Sequence, residues 1–143
     1  GSQSAKRKFE AANPEEAVII VDAAKGIKVK SLDIHKGLKW AVSKRNNIIL
    51  TQSAIAFGDW RIPVNEIKKI SVQKIITLFG PGQVVIVETE SGVFQFGMQR
   101  NKQWENQNSV QLEILKSKVY ISVSSILGVV LVAYLIYRYF MNK

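Results

Sequence analysis

The sequence predicts a mainly β domain of about seven short strands and one C-terminal helix, continuing into a single transmembrane helix. Three observations carry this prediction. Short runs of alternating apolar and polar residues, separated by turn residues, fill most of residues 14–98. Residues 101–118 contain neither glycine nor proline, which permits a helix. Residues 119–137 are 19 consecutive residues without a charge.

The strands are predicted from period-two patterns bounded by turn signals. Ala17–Val21 and Ile27–Leu32 flank a turn expected at residues 23–26. The clearest hairpin joins Val84–Thr89 to Val93–Phe96 around Glu90-Ser91-Gly92. The other predicted strands are Leu38–Val42, Ile48–Thr51, Ala54–Phe57, Trp60–Val64 and Ile67–Ile76, with Gly80-Pro81-Gly82 as a loop.

The domain boundaries follow from these changes of pattern. Residues 1–13 are expected to be a flexible lead-in that begins with an expression scar, Gly1-Ser2. Residues 14–116 form the predicted β domain, 117–140 the transmembrane helix and 141–143 a short tail. The helix predicted over 101–118 is expected to run directly into the membrane segment, because no flexible linker separates the two.

The transmembrane prediction rests on length and flanks. Nineteen residues form a helix of roughly 28 Å, close to the hydrocarbon thickness of a bilayer. Lys116 and Lys118 precede the run, and Arg138 and Lys143 follow it. The excess of basic residues before the run predicts a single-pass membrane protein with its N-terminal domain in the cytoplasm. The alternative interpretation is a buried core helix.

Composition limits the chemistry that the chain can perform. There is no cysteine, which excludes disulfides and thiolate metal sites. The one histidine, His35, has no second histidine to form a metal site. No nucleophile motif or phosphate-binding loop is present, so we expect neither an enzyme nor a cofactor. Residues 1–118 carry a net charge of +7, but their aromatic residues are expected to be buried, so nucleic acid is not an expected partner.

Part of the sequence is similar to a known family. Ile49-Leu50-Thr51, Ala54–Phe57, Gly58-Asp59-Trp60 and the run from Ile62 to Ile70 resemble the middle of bacterial PH and GRAM domains, and Trp104 matches a tryptophan of the C-terminal helix in that family. The resemblance covers roughly residues 15–116. It implies a pleckstrin-homology-like (PH-like) fold, which is a seven-stranded bent barrel capped by one C-terminal helix with Trp104 in its core.

Three candidate sites come from these patterns. The resemblance places Lys25, Lys28 and Lys30 where lipid-binding PH domains carry basic residues, and the alternative interpretation is the solvated face of a strand. Leu78 and Phe79 end an apolar stretch and are candidates for inserting into a membrane or a partner. Ser124 and Gly128 are small residues four apart, a spacing that permits two helices to approach closely.

The expected function is therefore binding. The chain is predicted to be a membrane-anchored scaffold that recruits or holds a protein partner at the cytoplasmic membrane face. Two alternatives remain open, an anionic-lipid-binding domain and a regulatory subunit of a membrane complex. The expected partners are the lipid bilayer, a protein and a second copy of the chain bound through the transmembrane helix.

Overall fold

A computed structural model describes residues 2–29, 43–77, 80–120 and 123–142. The helices are α1 (Ser2–Ala12), α2 (Gln103–Asn106) and α3 (Val123–Met141). The strands are β1 (Val18–Val29), β2 (Lys44–Thr51), β3 (Ala54–Phe57), β4 (Trp60–Pro63), β5 (Ile67–Thr77), β6 (Gly80–Thr89), β7 (Gly92–Gln99) and β8 (Leu112–Tyr120). A short 3-10 turn, Val64–Glu66, joins β4 to β5.

All eight of these strands belong to one sheet in the order β4-β3-β2-β1-β7-β6-β5-β8. Each neighbouring pair is antiparallel except β5 and β8, which are parallel. The fold is mainly β as predicted, but the prediction of a seven-stranded barrel is wrong. The described residues form eight strands, and their sheet is not closed because β4 and β8 lie at its two ends.

Strand β1 is one continuous strand of 12 residues, where the sequence predicted two strands and a turn. Its first part pairs with β2 and its last part pairs with β7, and both pairings include Lys25 and Gly26. Gly26 does not make a turn. A Cβ placed on it would lie 2.6 Å from Cε1 of Phe57, so the glycine provides the space that this aromatic ring occupies.

The main core lies on one face of the curled sheet. It collects side chains from β1 to β7 around Trp104 of α2, which is fully buried. Phe57 of β3 and Phe96 of β7 meet at 5.1 Å between ring centroids, although β2 and β1 lie between their strands. This contact shows that the end of the sheet formed by β3 and β4 curls over toward β7. A smaller buried cluster, Val84, Ile86 and Val93, lies apart from this core.

The helix predicted over residues 101–118 is wrong for most of its length. Only Gln103–Asn106 is helical, and Leu112–Tyr120 is strand β8. The reason is tertiary pairing, because β8 adds to β5 with Leu112 opposite Ile70 and Ile114 opposite Val72. Leu112 packs against the main core from this position. The period-two spacing of Val110, Leu112 and Ile114 was a strand signal within a segment that lacks glycine and proline.

The predicted transmembrane helix is also wrong. The apolar run is divided between two elements, because Val119 and Tyr120 belong to β8 and α3 begins only at Val123. The uncharged part of α3 ends before Arg138 and would extend roughly 22 Å, less than the ~30 Å of a hydrocarbon core. In the described ranges, no helix combines the length and the apolar character that crossing a membrane requires. The expectation of a single-pass membrane protein with a cytoplasmic domain is corrected accordingly.

Several local predictions are confirmed. The β6–β7 hairpin turns at Glu90 and Ser91, and Gly92 has a φ of +143°, which an L side chain rarely adopts. Strands β2, β3 and β5 include the runs predicted for them, and β4 ends at Pro63, one residue before the predicted end at Val64. The predicted strand Leu38–Val42 lies outside the described residues. Gly80-Pro81-Gly82, however, begins β6 instead of forming a loop. The lead-in contains α1, which packs against β1 and β2.

We predict that Gly26→Ala destabilises the domain by about 1–3 kcal/mol, because overpacking a filled core has a cost of this size. Phe57 is 2% exposed and also contacts Trp60, so its ring has little room to move. Urea unfolding followed by tryptophan fluorescence measures the change. Gly128→Ala is the matched control, since a Cβ there would meet nothing within 4 Å.

The double variant Gly26→Ala/Phe57→Leu tests the cause of this loss. A smaller side chain at position 57 relieves the overlap, so the two changes together should be less destabilising than the sum of the single changes. Strict additivity would show that the contact between Gly26 and Phe57 does not set the shape of β1.

Candidate interaction surfaces

The lysines predicted to bind lipid do not form one cluster. Lys25 and Lys28 lie an odd number of residues apart on β1 and therefore point to opposite faces of the sheet. Lys28 Nζ lies 5.1 Å from the ring centroid of Phe94, a cation–π contact within the domain. Lys30 lies outside the described residues, as does His35.

A second lysine, which the sequence did not indicate, lies near Lys28. Lys44 of β2 is opposite Gly26 of β1, and its Nζ lies 5.4 Å from the ring centroid of Trp60. Trp60 and Phe94 are themselves in contact at 5.3 Å, with their rings nearly perpendicular. Both ammonium groups thus stand over one aromatic pair. Lys44 could not be assigned to this group from sequence, because its proximity depends on the pairing of β1 with β2.

The other two predicted sites lie at separate positions in the sequence. Leu78 and Phe79 lie outside the described residues, between Thr77 of β5 and Gly80 of β6. Ser124 and Gly128 lie one helical turn apart in α3. Apart from its neighbours and the backbone of its own helix, no described atom lies within 4 Å of a Cβ placed on Gly128, so packing within the chain gives no reason for a glycine there.

Helix α3 is the largest apolar surface of the described chain. Every large apolar side chain from Ile126 to Met141 is between 46% and 67% exposed. No other element packs extensively on α3. A helix that is apolar on all sides is normally buried, because such side chains are driven out of water. The sequence shows that this segment is apolar, but the prediction that a lipid bilayer surrounds it is the one corrected above.

Strand β8 forms a long free edge next to α3. It pairs only with β5 among the described strands, from Leu112 opposite Ile70 to Tyr120 opposite Thr77. Ile114 is 53% exposed and Val119 is 62% exposed on this strand. Two residues separate the end of β8 from the start of α3. The exposed edge strand and the exposed helix are therefore consecutive elements in the chain.

A third feature is a groove between α1 and the strands β2, β3 and β4. Its volume is about 680 Å³, and its lining includes Lys8, Phe9, Asn47, Ile49, Trp60 and Arg61. The segment after α1 is fixed beside the groove by Glu16. The Glu16 carboxylate accepts hydrogen bonds from the Arg61 guanidinium, one of them 3.2 Å long, and from the Ser53 hydroxyl.

These hydrogen bonds change the ionisation of the pair. The bond from Arg61, followed by that from Ser53, lowers the pKa of Glu16 below its ordinary value. The same bond raises the pKa of Arg61. The pair is therefore charged at neutral pH, and it joins the chain before β1 to strand β4.

Nothing among the described residues indicates a metal centre, since they contain no group of three or more histidine or acidic side chains that could hold an ion. Comparison with known proteins adds no relative, because no family profile, no curated protein and no solved structure matches the chain. The PH-like resemblance accordingly stays a prediction.

Glu16→Gln tests the ion pair through its pH dependence. Folding lowers the pKa of Glu16, so the stabilisation is present above the unfolded pKa of about 4.3 and is lost as the pH falls through the folded pKa. Arg61 is 49% exposed, so the loss of unfolding free energy at pH 7 should be at most about 1 kcal/mol. The difference between Glu16→Gln and the parent chain should disappear in acid.

Glu90→Gln is the control for this measurement. Glu90 pairs with Lys68 at 3.0 Å, but its side chain is 87% exposed, so its removal should leave stability unchanged at both pH values. Chemical denaturation at neutral and acidic pH provides both comparisons. An effect of Glu16→Gln that is equally large in acid would contradict an ionic origin.

Proposed function

We propose that the chain is a non-enzymatic protein-binding module whose C-terminal helix α3 docks into an apolar surface of a partner protein. One observation carries the proposal, namely that the apolar side chains of α3 are exposed over the whole circumference of the helix. Contiguous apolar surface of this extent is typical of a protein–protein interface. The curled sheet then acts as the rigid body that holds this helix.

The energetics support a docked helix. Burying the exposed parts of about six large apolar side chains would contribute roughly 5–10 kcal/mol before the cost of association. An isolated helix of 19 residues is only marginally stable in water, so docking would also stabilise the helix itself. Helix-in-groove binding is a common mode of recognition that uses side chains spaced one turn apart.

The anionic-lipid alternative receives less support from the geometry. Lys25 and Lys28 point to opposite faces of β1, and Lys28 is already engaged with Phe94. A phosphate-binding site needs several cationic groups that converge on one point. Lys28 and Lys44 lie on one side of the sheet, but each stands over an aromatic ring.

A photo-crosslinking experiment tests the proposal. A photoreactive amino acid replaces Leu131 in the full chain, and the cells that make the chain are irradiated. We expect one protein adduct of discrete mass, because Leu131 is in the middle of α3 and is 57% exposed. An adduct of twice the mass of the chain would identify the partner as a second copy.

Two further variants make the result specific. Leu127→Asn/Leu135→Asn places polar groups one turn before and after position 131 and should abolish the adduct. Ile76→Asn is the matched control, since Ile76 is also exposed, at 46%, but lies on β5. Crosslinking from position 131 that yields no protein adduct, or that persists unchanged in Leu127→Asn/Leu135→Asn, would contradict the proposal.

A further inference from the structure

The two ends of the sheet differ in their ability to accept another strand. Strand β4 is four residues long and contains Pro63, which has no backbone N–H to donate. Strand β8 is nine residues long and contains no proline. A long edge strand presents unpaired backbone N–H and C=O groups that can pair with an extended segment of another chain. Only β8 offers such an edge within the described part of the sheet.

The geometry of β8 is fixed by contacts on its inner side. Its register against β5 shifts between Gln73 and Ile75, where β8 has one more residue than β5. Gln73 Nε2 donates a hydrogen bond of 2.9 Å to the carbonyl of Lys116 at this bulge. The bulge is therefore anchored to a buried side chain, and the outer edge keeps a defined shape.

The charges on β8 indicate which kind of segment fits. Lys116 and Lys118 are exposed at the bulge and make no ion pair within the described residues. The acidic residue of the strand, Glu113, is already bound to Lys69. The free edge is thus positively charged. A second copy pairing along this edge would bring the same lysines together, whereas an acidic segment would neutralise them.

We propose that the free edge of β8 binds an extended acidic segment of a partner protein by strand addition. Main-chain hydrogen bonds to β8 supply affinity, and Lys116 and Lys118 select acidic side chains. Ile114 and Val119 offer exposed apolar contact for alternate residues of the segment. The inference rests on the proposed protein-binding function, since it adds a second point of attachment to the one proposed for α3.

The test uses synthetic peptides and the full chain. The probe is a seven-residue peptide in which Glu and Val alternate. Its controls are the same peptide with Lys in place of Glu and a version N-methylated at every residue, which has no backbone N–H to donate to β8. Fluorescence anisotropy measures affinity, and hydrogen exchange locates the bound peptide. We expect binding of the acidic peptide alone, with slower exchange confined to β8 and its neighbour β5.

Charge-reversal variants separate selection by β8 from general attraction to a basic chain. Lys116→Glu/Lys118→Glu should weaken binding about 10-fold, because two cross-strand charge pairs become repulsive. Arg7→Glu/Lys8→Glu changes the net charge equally on α1 and should have little effect. Equal weakening by both variants, binding of the N-methylated peptide, or the absence of binding would overturn the inference. None of these changes alters α3, so the crosslinking test of the proposed function stays independent.

Discussion

The architecture depends on the close contact between Gly26 of β1 and the Phe57 ring. β1 pairs with β2 along its first part and with β7 along its last part, and Gly26 belongs to both pairings. Without a side chain at position 26, Phe57 can reach Phe96 across two intervening strands. The aromatic contacts among Phe57, Trp60, Phe94 and Phe96 then close one side of the core. As one continuous strand, β1 can therefore pair with β2 on one side and with β7 on the other.

This curl determines which surfaces are left for binding. Because the sheet curls on itself without closing, β4 and β8 stay as its ends. The inward side chains of β1 to β7 are buried in the core, so the large apolar residues that are exposed are concentrated in β8 and α3. The two elements are also consecutive in the chain. The structure thus leaves two exposed elements, an extended edge strand and an apolar helix, for binding.

Local signals predicted the parts of the fold that local chemistry decides. The β6–β7 hairpin follows from Gly92 and the alternating runs on either side of it. Non-local contacts decided the rest. Gly26 is a residue typical of turns, but here it makes room for the ring of Phe57. Residues 112–120 form a strand because they pair with the edge of β5. The lysines of the candidate sites show the same limit, since strand pairing sets Lys28 beside Lys44 and leaves Lys25 on the other face.

We infer that α3 binds a partner protein and is not packed against its own domain. Native-state hydrogen exchange of the purified chain at low concentration tests it most directly, because exchange reports the free energy of opening for each element. We expect rapid exchange throughout α3 and slow exchange in the central strands β6 and β7. Exchange in α3 as slow as that of β6, independent of protein concentration, would show that the domain itself covers the helix and would contradict the account.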